Sequence, residues 1–186
     1  ILCLTLAVLF GSAGEVWSAN YQKGQEAFLK KDFATALREW KPLAEQGHAV
    51  AQNNLGLMYR EGKGVPQDYK TAMKWFRLAA EQGDFDSQTS LGYMYSEGLG
   101  VLQDYKTSMK WFKLAAEQGD AGAMYNIGLM YYYGQGVIQD NVYAHMWTNI
   151  SASNGDEDGV KTRDIIAKEM SSTDISQAQK LARECV

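Results

Sequence analysis

The sequence repeats itself every 36 residues. Residues 48–83 match residues 84–119 at 24 of 36 aligned positions, and they match residues 120–155 at 16 of 36. A fixed period of about 20 to 50 residues is typical of a solenoid, in which small units stack on their neighbours. The sequence therefore predicts stacked repeats rather than one large core. Glycine, aspartate and tryptophan recur at this period: Gly47, Gly83, Gly119, Gly155; Asp68, Asp104, Asp140; Trp75, Trp111, Trp147.

Each repeat has the apolar pattern of two helices. In residues 48–83, apolar side chains recur at helical spacing in two stretches, and neither stripe is large enough to form a core alone. Neighbouring repeats must therefore bury these stripes together, which predicts an all-α fold. The two stripes are Ala51, Leu55, Met58, Tyr59 and Tyr69, Ala72, Met73, Phe76, Ala79, Ala80.

Glycines and aspartates mark the predicted helix ends. A Gly-x-Gly sequence follows each first helix, where a left-handed cap favours a residue without Cβ. Each recurring aspartate precedes a second helix, which its side chain can cap. A further glycine lies inside each first helix, where it costs about 1 kcal/mol relative to alanine, so we expect close helix contact there. These glycines are Gly62, Gly98, Gly134 after the helices and Gly56, Gly92, Gly128 within them.

The repeated pattern resembles a known family. Read from Ala49 to Gly83, A-x-A-Q-x-x-L-G-x-M-Y-x-x-G-x-G-V-x-x-D-x-x-x-A-x-x-W-x-x-x-A-A-E-Q-G is similar to the Sel-one-like repeat, a relative of the tetratricopeptide repeat. This resemblance implies a right-handed α-solenoid of antiparallel helix pairs, with the first helices on a concave face. It also implies a non-enzymatic adaptor that binds proteins, which in exported bacterial members is linked to envelope assembly, secretion or host contact.

Five segments follow from the repeats and the resemblance. Three repeats cover 48–83, 84–119 and 120–155, and residues 19–47 form a shorter tetratricopeptide-like pair without the Gly-x-Gly-Val loop. Residues 156–186 are predicted to form two capping helices, with a turn at 171–174.

The first 18 residues predict export. An apolar run from Leu2 to Phe10 is too short to span a bilayer, where about 20 residues are needed, but it is typical of a secretory signal peptide. We expect the sequence to begin inside this signal and cleavage to follow Ser18 or, alternatively, Ala13. The protein would then be periplasmic or secreted, without stable membrane insertion. The alternative is that residues 1–18 form a buried helix of the fold. After cleavage Cys185 is the one remaining cysteine, which excludes an internal disulfide.

Positions that change between repeats predict a binding surface. On each first helix three such positions share one face, which we expect to line the concave groove. Tyrosine is enriched at binding hot spots, so the hypothesis is a peptide or partner helix lying on this face. The alternative is that these tyrosines pack against neighbouring repeats. The candidate residues are Asn53, Leu57, Arg60; Thr89, Tyr93, Ser96; Tyr125, Leu129, Tyr132, with Tyr133 adjacent.

The second helices carry a stripe of cations, either a solvated outer face or a surface for an anionic partner. A cell-wall glycan or anionic polymer is the competing ligand class. The net charge of −4 argues against non-specific binding of nucleic acid. The stripe consists of Lys70, Lys74, Arg77, Lys106, Lys110 and Lys113.

No residue pattern predicts catalysis, a metal or a cofactor. His48 and His145 are far apart in a chain whose repeats contact only their neighbours. The Gly-x-Gly loops lack the Lys-Ser/Thr of a phosphate-binding loop. Some cysteine-rich relatives are described as β-lactamase-like, but the sequence lacks their paired cysteines and has no Ser-x-x-Lys. Hydrolase activity is therefore not expected.

Overall fold

A computed structural model describes residues 18–184 as an all-helical chain. Within these residues there is no strand, as the repeat pattern predicts. The predicted signal peptide, apart from Ser18, and Cys185 lie outside the described residues. The helices are α1 (18–29), α2 (Phe33–Glu45), α3 (Ala49–Glu61), α4 (Tyr69–Ala80), α5 (Phe85–Glu97), α6 (Tyr105–Ala116), α7 (Ala121–Tyr133), α8 (Asn141–Ser153), α9 (Glu157–Ala167) and α10 (Ser172–Glu184).

The helices form two compact groups, which divide between Asp84 and Phe85. We call α1–α4 the N-terminal half and α5–α10 the C-terminal half. In the N-terminal half α3 packs on α2 and α4; in the C-terminal half α7 packs on α6 and α8, and α8 also packs on α9 and α10. None of the helices between residues 18 and 184 has the length and apolar character needed to cross a bilayer.

The predicted caps are present. Asp104 accepts hydrogen bonds from the backbone N–H groups of Lys106 (3.0 Å) and Thr107 (3.1 Å), and its φ of −146° keeps it outside α6. Asp68 and Asp140 cap α4 and α8 in the same way. At the other helix ends, Gly62 and Gly134 have φ of 67° and 69°, in the left-handed region that favours glycine. The repeated Asp and Gly residues therefore set where each helix begins and ends.

The glycines inside the first helices allow close contact with the second helices. A Cβ atom at Gly56 would lie 2.6 Å from the ring of Phe76, and one at Gly92 would lie 2.6 Å from the ring of Phe112. At Gly128 the nearest atom would be Thr148 Cγ2, at 2.7 Å. The expected close approach is confirmed in all three repeats.

Each half has its own apolar core. In the N-terminal half Trp40, Leu43, Leu55 and Met58 are buried together with small alanines of α1–α3. In the C-terminal half the core is built from Phe112, Ile127 and other side chains of α6, α7, α8 and α10. Of the predicted stripes, the alanines, Leu55, Met58, Met73 and Phe76 are buried, whereas Tyr59 and Tyr69 are half-buried.

The last two helices differ from the sequence-based expectation in one detail. The turn between α9 and α10 lies at residues 168–171, a few residues before the predicted turn at 171–174. The reason is that Ser171 caps α10: its Oγ accepts from the backbone N–H of Asp174 (3.2 Å) and donates to the Asp174 carboxylate (2.8 Å). A Ser and Asp three residues apart thus start a helix here rather than turning the chain.

Candidate interaction surface

In the N-terminal half, the predicted first-helix face borders an apolar cavity. Leu57 lines a cavity of about 150 Å³ together with side chains from α1 and α2. Leu29 is 76% exposed at its edge. No charged side chain lines this cavity, and apolar and aromatic side chains outnumber its two amides, so it suits an uncharged group. The other lining residues are Tyr21, Gln25, Phe28, Trp40 and Asn54.

Hydrogen bonds and ring contacts fix the walls of this cavity. The Trp40 indole N–H donates to the Tyr21 carbonyl oxygen (3.1 Å), and Asn54 Nδ2 donates to the Tyr21 hydroxyl (3.4 Å). The Tyr21 ring also stacks on the His48 ring with centroids 5.3 Å apart. The wall is therefore held in place before any partner arrives, which reduces the entropy lost on binding.

The two other candidates on α3 are less available to a partner. Asn53 is buried, with only 6% of its surface exposed. The Arg60 guanidinium pairs with the Glu61 carboxylate (2.9 Å) and lies 5.9 Å from the centre of the Phe76 ring. The helical spacing predicted that all three candidates of α3 are available to a partner. In the structure, Leu57 is the one of the three that offers an apolar contact surface.

On α5, Tyr93 is the exposed candidate. Its side chain is 45% exposed. Thr89 is engaged, since its hydroxyl donates to the carboxylate of Asp120 (3.0 Å), the residue that caps α7. The Ser96 hydroxyl donates to the Tyr93 carbonyl oxygen (2.8 Å), one turn back along the same helix. Tyr93 thus offers an aromatic surface, while Thr89 and Ser96 are held by local hydrogen bonds.

On α7, two of the candidate tyrosines contact the C-terminal segment, one at α9 and one at the turn that follows it. The Tyr132 hydroxyl donates to the Glu169 carboxylate (2.9 Å), and this bond raises the pKa of Tyr132. The Tyr125 hydroxyl accepts from Thr162 of α9 (3.5 Å). Both contacts fit the alternative that the tyrosines pack against the next helix pair. Leu129 is half-buried, and Tyr133 is 63% exposed with its ring against that of Tyr132 (5.0 Å).

Two pairs of glutamines, one in each half, form hydrogen bonds that the candidate residues do not include. Gln52 is buried; its Nε2 donates to the Ala44 carbonyl oxygen (3.0 Å), and its Oε1 accepts from Gln82 (2.7 Å). In the C-terminal half Gln118 donates to Gln88 in the same manner (2.8 Å). Both glutamines belong to the repeated pattern, one in A-x-A-Q and one in A-E-Q-G. The recurrence of two glutamines 30 residues apart could therefore have predicted a hydrogen bond between their side chains.

The cationic stripe is fully exposed. Every residue of the stripe on α4 and α6 is exposed, and neither helix contains an acidic residue. Positive charge therefore predominates on each of these two helices, although the capping carboxylates of Asp68 and Asp104 interact electrostatically with Lys74 and Lys110 and the chain as a whole is acidic.

The two histidines have separate structural settings. His48 caps α3, with Nδ1 accepting from the backbone N–H of Ala51 (3.2 Å). His145 is buried in α8 of the other half; burial lowers its pKa, and the Arg163 cation lowers it further. Within residues 18–184, no three His, Cys, Asp or Glu side chains are grouped to hold a metal ion.

The repeats place the chain in a family. Three consecutive segments, 49–84, 85–120 and 121–156, match the model of the Sel1 repeat and cover more than half of the sequence. The chain belongs to the Sel1 repeat family. Each segment begins one residue later than the repeat read from the sequence, because the match starts at the first helical residue rather than at the cap. Sel1 repeat proteins generally mediate protein–protein interactions and are typically non-catalytic scaffolds.

Solved structures support the same assignment. One similar structure is c5321, described as a protective antigen of uropathogenic Escherichia coli with an SLR fold; it is 36% identical over 90% of this chain, with a TM-score of 0.78. A Sel1 repeat protein from Oxalobacter formigenes is 29% identical over 78% of this chain, with a TM-score of 0.72. The α-solenoid fold class is thereby confirmed. This chain spans 38% and 58% of their respective lengths. No curated protein matches the sequence.

Proposed function

We propose that this Sel1 repeat chain is a non-enzymatic adaptor that holds a peptide or partner protein on its first-helix face. The observation that carries the proposal is the preformed apolar cavity beside Leu57. A cavity of about 150 Å³ can hold a benzene-sized group, so it suits one leucine or phenylalanine side chain of a partner. Within the C-terminal half, the exposed rings of Tyr93 and Tyr133 offer an aromatic surface of their own, with large contact area at low entropic cost.

The proposed place of action is the cell envelope. The apolar run from Leu2 to Phe10 supports export to the periplasm or the cell exterior. The similarity to c5321, which is described as a protective antigen, also supports a location outside the cytoplasm for this chain. Fractionation of cells that express the full-length protein, with mass determination of the mature N-terminus, tests this part. An intact N-terminus in the cytoplasmic fraction would contradict it.

Photo-crosslinking in living cells tests the binding face. A benzoylphenylalanine residue replaces Leu57 or Tyr93, and a probe at the exposed Lys110 of α6 serves as the matched control. The proposal expects a discrete protein adduct at Leu57 and Tyr93 but not at Lys110. An adduct at Lys110 alone would move the binding surface to the second helices.

The exposed cations favour a second candidate, binding of an anionic polymer by α4 or by α6. Such binding would weaken steeply with salt, because exposed charges are screened. Protease treatment of an envelope extract distinguishes the two candidates, since it destroys a protein partner and leaves a glycan or polymer partner intact.

A further inference from the structure

His145 is an unusual residue for its position in the repeat. The first two repeats carry buried methionines there, Met73 and Met109. His145 is 3% exposed, and its Nδ1 atom has no hydrogen-bond partner in the described part of the chain. The third repeat has therefore exchanged an uncharged thioether for the side chain whose ordinary pKa lies nearest to physiological pH.

The charged neighbours of His145 belong to α9. Arg163 and Asp164 both act on it electrostatically. Arg163 donates to Asn149 Oδ1 (3.4 Å), one turn along α8 from His145, and pairs with the Asp164 carboxylate (2.7 Å). Helix α7, which also packs on α8, contains no Lys, Arg, Asp or Glu, and its titratable side chains are Tyr125, Tyr131, Tyr132 and Tyr133. The charged residues of α10, which packs on α8 as well, are Asp174, Lys180, Arg183 and Glu184.

A proton on His145 would oppose the packing of α9 on α8. It would place a second cation near Arg163 and add an N–H donor that has no acceptor, and both effects are costly in a buried site. Burial lowers the pKa of His145 below its ordinary value, Arg163 lowers it further, and Asp164 acts in the opposite direction. The stabilising effect of the neutral form is therefore complete above the unfolded-state pKa of about 6.5, and it is lost as pH falls through the lower folded-state value.

Helices α9 and α10, which both pack on α8, are held by few buried side chains. Helix α9 buries only Gly159 and Ile166, and α10 buries only Ala178 and Ala182. Helices α5 to α8 each bury five or six residues. Elements with few buried contacts open locally at lower free energy than the rest of a fold. Helices α9 and α10 are therefore where a small electrostatic cost has the largest effect.

We propose that His145 makes the docking of α9 and α10 on α8 pH-dependent, so that acidification releases these two helices while α5–α7 stay folded. Release would break the hydrogen bond that Thr162 donates to Tyr125 and the one that Tyr132 donates to Glu169. It would thereby expose two tyrosines of the first-helix face. The effect on partner binding rests on the proposed function, whereas the release itself does not.

Hydrogen exchange measured by mass spectrometry tests the release. Protection factors are compared at about pH 7.5 and about pH 5 for peptides within 156–184 and within α5–α7, in the wild type, His145→Met and His48→Asn. His145→Met restores the residue of the other repeats. His48→Asn removes the other histidine of the chain and keeps a side chain that can cap α3.

The wild type should lose protection selectively in residues 156–184 at the lower pH. The protection factor should fall by up to tenfold for each unit by which folding lowers the pKa of His145, since one pKa unit is a tenfold change in the equilibrium between docked and released helices. His145→Met should remove this loss, and His48→Asn should retain it. Loss of equal size in His145→Met, or no loss in the wild type, would overturn the proposal.

Two measurements keep these outcomes interpretable. Circular dichroism melting at neutral pH shows whether His145→Met is folded. Nuclear magnetic resonance titration of the two imidazoles in the wild type gives the pKa of His145 directly, and a value at or above about 6.5 would overturn the proposal independently of any variant. Neither measurement requires a partner, so failure here is distinct from failure of the crosslinking experiment.

Discussion

Helices α6 and α8 occupy the same place in successive repeats but have different interiors. Each begins with an aspartate cap and packs against a glycine of the preceding helix. Phe112 fills the contact with Gly92 in the second repeat, whereas Thr148 fills the contact with Gly128 in the third. The comparison teaches that the same caps and the same glycine position are kept in both repeats, while the side chain that fills the contact can differ in size and polarity.

The largest expected effect comes from emptying the Phe112 position. Phe112→Ala should lower the free energy of unfolding by about 3 to 5 kcal/mol, because a fully buried aromatic ring is lost and a cavity remains. Urea denaturation followed by circular dichroism measures this change. The neighbouring Trp111 is only partly buried, so Trp111→Ala is the matched control and should cost less. Equal costs would show that the ring of Phe112 has no special place in the core.

A methyl group at Gly92 should have the next largest effect. Gly92→Ala places Cβ 2.6 Å from the Phe112 ring, and such overpacking costs about 1 to 3 kcal/mol. Combining it with Phe112→Ala should cost less than the sum of the two single changes, because the ring that clashes is gone. A double-mutant cycle by chemical denaturation measures the coupling. Simple additivity would mean that the cost of Gly92→Ala does not come from its contact with the Phe112 ring.

The caps should produce a smaller, pH-dependent effect. Hydrogen bonds from the hydroxyl and backbone N–H of Thr107 lower the pKa of Asp104 below its usual value. The stabilisation is therefore complete above the unfolded-state pKa of 3.8 and is lost as pH falls through the lower folded-state pKa. The difference in Tm between wild type and Asp104→Asn should disappear on acidification. A difference that stays constant down to the lowest pH would contradict the role of the ionised cap.

Removal of the Tyr132 hydroxyl should have the smallest effect on stability. Tyr132→Phe deletes a surface hydrogen bond to Glu169 and keeps the ring contact with Tyr133. Exposed hydrogen bonds and charges contribute little, so we expect no resolved change in Tm at neutral pH. Protection of residues 156–184 against hydrogen exchange is the more sensitive readout, and a modest decrease there would show that this bond helps to hold the C-terminal helices.

Most of the fold could be predicted because the repetition shows which residues end the helices and which let them approach each other. Asp104 and Gly92 recur at 36-residue spacing, and each has a local role that its chemistry explains: one caps a helix, and the other admits a ring. Such roles depend on neighbours a few residues away or in the same repeat. These roles can therefore be predicted from the sequence without knowledge of the whole structure.

The candidate site was less predictable because several of its contacts are made by segments that lack the 36-residue repeat pattern. Thr162 and Glu169, which bond to Tyr125 and Tyr132, belong to a segment without the repeat pattern. Spacing alone placed Asn53 on an exposed face, although packing buries it. The cavity beside Leu57 depends on α1 and α2, which depart from the repeat as well. Whether the face binds a partner stays a prediction.

The glutamine bonds bear on how such a chain can lengthen. Gln52 and Gln82 stand near the two ends of one 36-residue repeat, and Gln88 and Gln118 do so in the next. A duplication of one whole repeat copies donor and acceptor together, so the buried glutamine of each pair keeps its partner. Insertion of half a repeat would separate them. The bond therefore favours growth and loss of the array by complete repeats, so that changes of length need no compensating substitutions at this position.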